Sequence, residues 1–256
     1  MVSVTMLSLS EDAEKQIEHM LAAYNALKGV FWGSEYLVSA ATALARLAEP
    51  QQYENIAARS RVIYGHMKSS HPFLTNMEDS SFAALLALSV NDDLYITQET
   101  ERCYNILKSK FFSRNAVQAL SQVLAMGKGS AEHKCDKVID IFDCLKKQGY
   151  KFGTYYELAT LGVLALLDND TAILCDEIIN ADEFLQKQKG FGIFGVGAKQ
   201  RLMYAGMLTA FDCVSDAQII QTAALNSVVS MMIAQQTAIL YASIVASNSA
   251  VSSSAT

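Results

Sequence analysis

Hydrophobic positions along this chain recur with the helical period almost throughout. Near the N-terminus Ile17, Met20, Leu21, Tyr24 and Leu27 recur at helical spacing. They predict a helix capped by Ser10, with Glu11 and Asp12 at the positive end of its dipole. The same pattern predicts helices over 34–47, 50–68, 80–89, 97–110, 114–126, 130–149, 154–167, 171–188 and 198–211, and a longer one over 216–247. Turn chemistry falls between them, at Pro72, at Asn91-Asp92-Asp93, at Gly127, at Asp168-Asn169-Asp170 and in the glycine-rich stretch 189–197. No segment alternates with period two between hairpin turns, so no strand is predicted.

Short apolar helices alternate with longer charged ones. The apolar set shares a loose pattern at 42–48, 84–90, 121–127 and 161–167, recurring at roughly 35–45 residues, the spacing of two-helix repeats. In such a pair one helix is buried on all sides and must be apolar, while its partner shields it from water and must be amphipathic. The predicted fold is therefore all-α, built of tandem αα-hairpins. An open solenoid and a closed αα-toroid both fit. Two prolines in the whole chain agree with helix nearly throughout, because proline is expelled from helix interiors.

Three stretches carry a resemblance to a bacterial family. They are Ser80-Ser-Phe-Ala-Ala-Leu-Leu-Ala-Leu88, Leu120-Ser-Gln-Val-Leu-Ala-Met126 and Ile233-Ala-Gln-Gln-Thr-Ala-Ile239. Through them the chain resembles the domain of unknown function (DUF) 4003 family over most of its length. The resemblance implies an intracellular helical protein. It implies no activity and supplies no functional residues.

Charge narrows the function classes. The net charge is −6 and the pI about 5.2, which argues against a nucleic-acid binder, since that needs a basic footprint. An acidic chain also gives no reason to expect attraction to anionic lipid headgroups. Cys103, Cys135, Cys144, Cys175 and Cys213 are an odd, unclustered set that reads as reduced thiols in a cytoplasmic protein. The first ten residues lack the basic and apolar regions of a secretory signal.

Candidate chemistry is sparse. Gly190-Phe-Gly-Ile-Phe-Gly195 fits the spacing G-x-G-x-x-G, but a helix precedes it where a dinucleotide fold needs a strand. The bland reading is an interhelical loop plugging the core. The functional reading has Gly192, Gly195 and Gly197 offering backbone N–H groups to an anion, with Lys199 and Arg201 assisting. Asp92 and Asp168 follow apolar helices, where their simplest role is to end one helix and cap the next. As paired carboxylates at the mouth of a toroid they would line a ligand cavity beside Lys199. His66 and His71 are five apart and do not make a helical zinc pair, so neither a metal nor a cofactor is expected. Tyr150, Phe152, Tyr155, Tyr156 and Phe31-Trp32 read first as core and rim packing.

The end of the chain is its most unusual part. After Asp216 the final 40 positions hold no charged residue. A helix apolar on every side is a buried helix. Val228, Met232, Ile239, Ala242 and Val245 are the expected contacts with a second copy, a protein partner or the chain's own centre. Insertion of 225–246 into a membrane is disfavoured by Asn226, Gln235 and Gln236 and by the lack of flanking basic residues. These readings divide the chain into a helical-repeat unit, 1–215, and a C-terminal segment, 216–256. They favour a non-catalytic interaction or assembly protein that self-associates through its last helix. A toroid enzyme or small-molecule binder and a protein tethered to a membrane by its C-terminus are the alternatives.

Overall fold

The computed structural model describes residues 12–89, 91–155, 157–191 and 196–213. These hold ten α-helices and one short 3-10 helix. In chain order they are α1 (Ala13–Val30), α2 (Glu35–Leu47), the 3-10 turn Pro50–Gln52, α3 (Tyr53–Ser70), α4 (Asp79–Leu86), α5 (Asp93–Leu107), α6 (Arg114–Ala125), α7 (Ala131–Lys147), α8 (Leu158–Ala165), α9 (Thr171–Gln186) and α10 (Ala198–Asp212). The predicted helix over 216–247, with Val228, Met232, Ile239, Ala242 and Val245, lies outside the described residues, as do Gly192 and Gly195.

Caps decide where the helices begin. Ser34 accepts from Leu37 N–H, and Ser130 from His133 N–H. The first helix starts later than Ser10 suggested, because Asp12 takes the capping position and accepts from Lys15 N–H at 3.1 Å. The fifth starts a turn earlier than predicted, because Asp92 caps it through Tyr95 N–H at 2.8 Å. The eighth starts a turn later than Thr154, at Leu158, with no side-chain cap. Gly127 does not adopt the left-handed conformation expected of a helix-ending glycine. Its role is close approach: a Cβ there would sit 2.1 Å from Leu166 Cδ2.

Packing follows a simple order. Each odd-numbered helix packs on the next even one, as α1 on α2 and α9 on α10. The odd helices α1, α3, α5, α7 and α9 also pack on one another in sequence, and so do α2, α4, α6, α8 and α10. The even row is the apolar one. All eight residues of α4 and all eight of α8 are buried. Close approach is built in at Gly162, whose Cβ would lie 2.9 Å from Leu120 Cδ1 and 3.0 Å from Val123 Cγ1.

A buried helix end leaves carbonyls with no partner of their own. Here basic side chains from the odd helices supply one. Arg59 of α3 donates to Ala87 O, Ser89 O and Asn91 O at 2.7–2.9 Å, beyond the end of α4, and to Asp93 at the start of α5. Lys134 of α7 donates to Gly127 O after α6 and pairs at 2.7 Å with Glu99 of α5. Lys137 of α7 donates to Leu167 O after α8. These contacts set the C-terminal ends of even helices beside the N-terminal halves of odd ones, so each pair runs antiparallel. The Lys134 and Glu99 side chains are 2 % and 4 % exposed. Lys134→Ala strands a carboxylate in the core and is expected to cost about 3–5 kcal/mol. Lys137→Ala, at a part-exposed site, is expected to cost clearly less, and urea unfolding of the two variants checks the order.

Candidate interaction surface

The residues singled out from sequence do not converge. Asp92 caps α5 and Asp170 caps α9, each through its carboxylate. Asp168 is exposed in the same link as Asp170, and both carboxylates support the charge of Lys137, whose pKa burial pulls down. All three lie where even helices end. Gly197 and exposed Lys199 open α10, at the opposite end of the pairs. Arg201 turns inward instead, bidentate to buried Asp182 at 3.0 Å, and donates to Phe191 O. Among the described residues no hydrogen bond or ion pair joins Asp92, Asp168 and Lys199.

One carboxylate is shifted far upward, and the sequence reading passed it over. Asp79 opens α4 and is 4 % exposed. Gln118 and Gln122, one turn apart on α6, donate their side-chain N–H groups to its Oδ1 at 2.9 and 2.7 Å. Asn76 N–H donates to Oδ2 at 2.9 Å. Burial raises its pKa from 3.8 to about 6, against the pull of those three donors. The amide oxygens of both glutamines are buried without a partner. The cluster ties α4 to α6.

Two clefts occupy the two ends of the row. One, of about 600 Å³, is lined by polar residues of α1 and the end of α2, including Lys15, His19, Arg46 and Glu49. The other, of about 480 Å³, lies between α9 and α10 and is lined by Glu177, Ala181, Leu208, Thr209, Phe211 and Asp212. Leu208 and Phe211 are exposed, as are Ile173 and Phe184 on the Glu177 face of α9. The Thr209 hydroxyl is buried with no partner.

The links that follow the odd helices form a third surface. Each sends an aromatic or imidazole ring back onto the next odd helix. Phe31 meets Tyr64 at 5.4 Å between centroids, His71 meets Tyr104 at 4.4 Å, and Phe111 meets Phe142 at 5.1 Å. Tyr150 donates its hydroxyl hydrogen to Glu183 at 3.1 Å. The ends of the odd helices are thereby held side by side. Beside these inward rings stand outward ones, Trp32, Phe73, Phe112 and Tyr155. The expectation of packing holds for Phe152, which is buried, and not for Trp32 or Tyr155; Tyr156 lies outside the described residues. The signal was present in the sequence. A lysine followed within five residues by an aromatic recurs at Lys28, Lys68, Lys108, Lys147 and Lys187, about forty residues apart.

The profile of a family described as "Protein of unknown function (DUF4003)" matches residues 1–238. The chain belongs to the DUF4003 family. The uncharacterized protein YeaA of Bacillus subtilis (strain 168) is 23 % identical over 250 residues, covering 92 % of this chain and 75 % of the relative. No solved structure matches. Among the described residues of this DUF4003 member no group of three metal-ligating side chains occurs, and no helix is long and apolar enough to cross a membrane.

Two measurements separate structural from chemical roles here. Asp92→Ala removes a cap and is expected to cost about 0.5–2 kcal/mol. Asp168→Ala is expected to cost less than half as much, and thermal unfolding compares them. Asp79 has a folded pKa above its unfolded one. Its contribution to stability is therefore fully present below pH 3.8 and is lost as pH rises through about 6. Asp79→Asn is expected to remove about 2–3 kcal/mol of that pH dependence. The acceptor it takes from Asn76 costs the same at every pH, so urea midpoints between pH 4 and 7 isolate the titration.

Proposed function

We propose that this protein is a non-catalytic, cytoplasmic helical-repeat module that works by binding protein, and that it self-associates through its C-terminal segment. In this reading residues 1–215 are the repeat unit, and the segment 216–256 of one copy, without charge after Asp216, covers the last described hairpin of another. The observation that carries it is the outer face of α9 and α10. A terminal repeat has no neighbour to bury its face and normally presents a polar one. This terminal face instead exposes Ile173, Phe184, Leu208 and Phe211 around a cleft. Its buried Thr209 hydroxyl lacks a partner. The chain then continues past Asp216 with no further charge. The exposed apolar side chains of this face, which stand beside Glu177 and Asp212, and the apolar positions of the segment are complementary through the hydrophobic effect.

The sequential packing of odd and even helices supports an open row of five αα-hairpins over a closed ring. Among the described residues extensive contact runs only within a hairpin and between neighbouring hairpins, and neither α1 nor α2 packs extensively on α9 or α10. Cysteines with no disulfide among the described residues suit a reducing compartment.

Native mass spectrometry of the full-length chain tests the reading, beside a Leu208→Asp/Phe211→Asp variant. The expected result is a multiple of the chain mass that falls to the monomer in the variant. A monomeric wild type whose thermal transition drops in the variant overturns self-association and closes the segment onto its own hairpin. A monomeric wild type with an indifferent variant overturns the whole assignment for this face.

A further inference from the structure

The edge where the odd helices end remains unused by that reading. Its outward side chains are Trp32, 88 % exposed, Phe73, 99 %, and Phe112, 94 %, with Met77 and Tyr155 exposed beside them. Single exposed apolar residues need no explanation, but a row of large ones along one edge does. The inward rings hold the odd-helix ends side by side, which sets the outward tips of successive links in a row. Neighbouring helices pack roughly 10 Å apart, so tips on four successive links span roughly 30 Å along one edge.

The same edge is basic. Lys28, Lys146, Lys147, Lys151, Lys187 and Lys189 are all exposed there. Glu35, Glu78 and Glu157 lie among them, with Glu101 paired to His71, Asp143 paired to Lys110 and Glu183 accepting from Tyr150, and Glu157 is turned back to accept from Tyr155 N–H at 3.1 Å. The carboxylates of Asp92, Asp168 and Asp170 sit at the other end of the pairs. An odd helix such as α7, with 17 residues, separates the two ends by roughly 25 Å. That exceeds the Debye length of about 8 Å at physiological salt, so a partner at the aromatic edge feels the lysines and not the net charge of the chain.

We propose that this edge is a docking surface for an anionic lipid bilayer. The aromatic tips enter the boundary between headgroups and acyl chains, and the lysines meet lipid phosphates. The shape of the edge selects this partner over a peptide. A peptide anchor needs a pocket, and nearly full exposure of three rings means that they stand proud, with no pocket around them. A bilayer is soft, flat and longer than the row. Contact of this kind is peripheral and needs no spanning helix.

Trp32 is the single tryptophan of the chain, so its emission reports on the edge itself. Full-length protein is mixed with vesicles of equal parts phosphatidylcholine and phosphatidylglycerol at low salt. The expected result is a blue shift of Trp32 with co-sedimentation, both weakened by added salt. Vesicles of phosphatidylcholine alone bind far less. Phe73→Ser/Phe112→Ser is expected to weaken partitioning by roughly tenfold or more. Each of Lys146→Gln, Lys147→Gln and Lys151→Gln is expected to weaken it roughly fivefold. These side chains already lie in water, so the thermal transition should stay in place; if the aromatic variant melts early, the lysine variants carry the test. Protein left in the supernatant with unshifted Trp32 overturns the proposal. So does full binding by the variants, which moves the contact elsewhere on the chain. Neither outcome bears on the α9–α10 face.

Discussion

The structure depends on burying short apolar helices whose C-terminal carbonyls, and those just beyond them, are met by side chains of neighbouring helices. A carbonyl left unpaired in a core costs as much as a lost hydrogen bond or more. Helices of eight residues, such as α4 and α8, have few internal bonds to offset that cost. Arg59, Lys134 and Lys137 meet the demand from the neighbouring helices. Each is held in turn by carboxylates, Asp93 for Arg59, Glu99 for Lys134, and Asp168 with Asp170 for Lys137. One requirement thus fixes both a cation at the end of an even helix and the anions around it.

That arrangement polarises the molecule. Acidic residues gather where even helices end, because they cap the next odd helix and partner the cations. The opposite end has no such demand. Its links only have to turn the chain, and one ring in each does so by packing onto the adjacent odd helix. The lysines there sit at the negative ends of the odd-helix dipoles, a favourable place for them. Exposed aromatics next to lysines are not required by any of this. The fold tolerates them and gains nothing from them that we can identify, which is why they point to a partner.

Much of the fold was legible in the sequence. Helical periodicity, scarce proline and the contrast between apolar and charged helices specified an all-α chain, and the helix starts predicted at 34 and 130 fall on the capping residues Ser34 and Ser130. The misreadings came where a local signal met a tertiary one. Gly127 does follow the end of α6, but without the left-handed turn, and it also leaves space for Leu166. Asn91-Asp92-Asp93 looked like a longer break, although Asp92 starts α5 at once. The candidate site was far less legible. Asp79, Gln118 and Gln122 are thirty-nine and forty-three residues apart in sequence, and only the packing of α4 on α6 brings them together.

The glycine-rich stretch after α9 shows why motif matching was the weaker guide. G-x-G-x-x-G binds phosphate only when a strand delivers it and a helix N-terminus receives the charge. Here it links an odd helix to an even one, in the position occupied elsewhere by Phe31-Trp32, Phe73 and Phe111-Phe112. What those links share is a lysine, an aromatic and a turn, recurring at the hairpin period. In a stacked architecture a feature weak in one hairpin becomes a surface when neighbouring hairpins repeat it. In the repeat reading proposed above, a surface is built from what recurs at about forty residues more than from any contiguous run of residues.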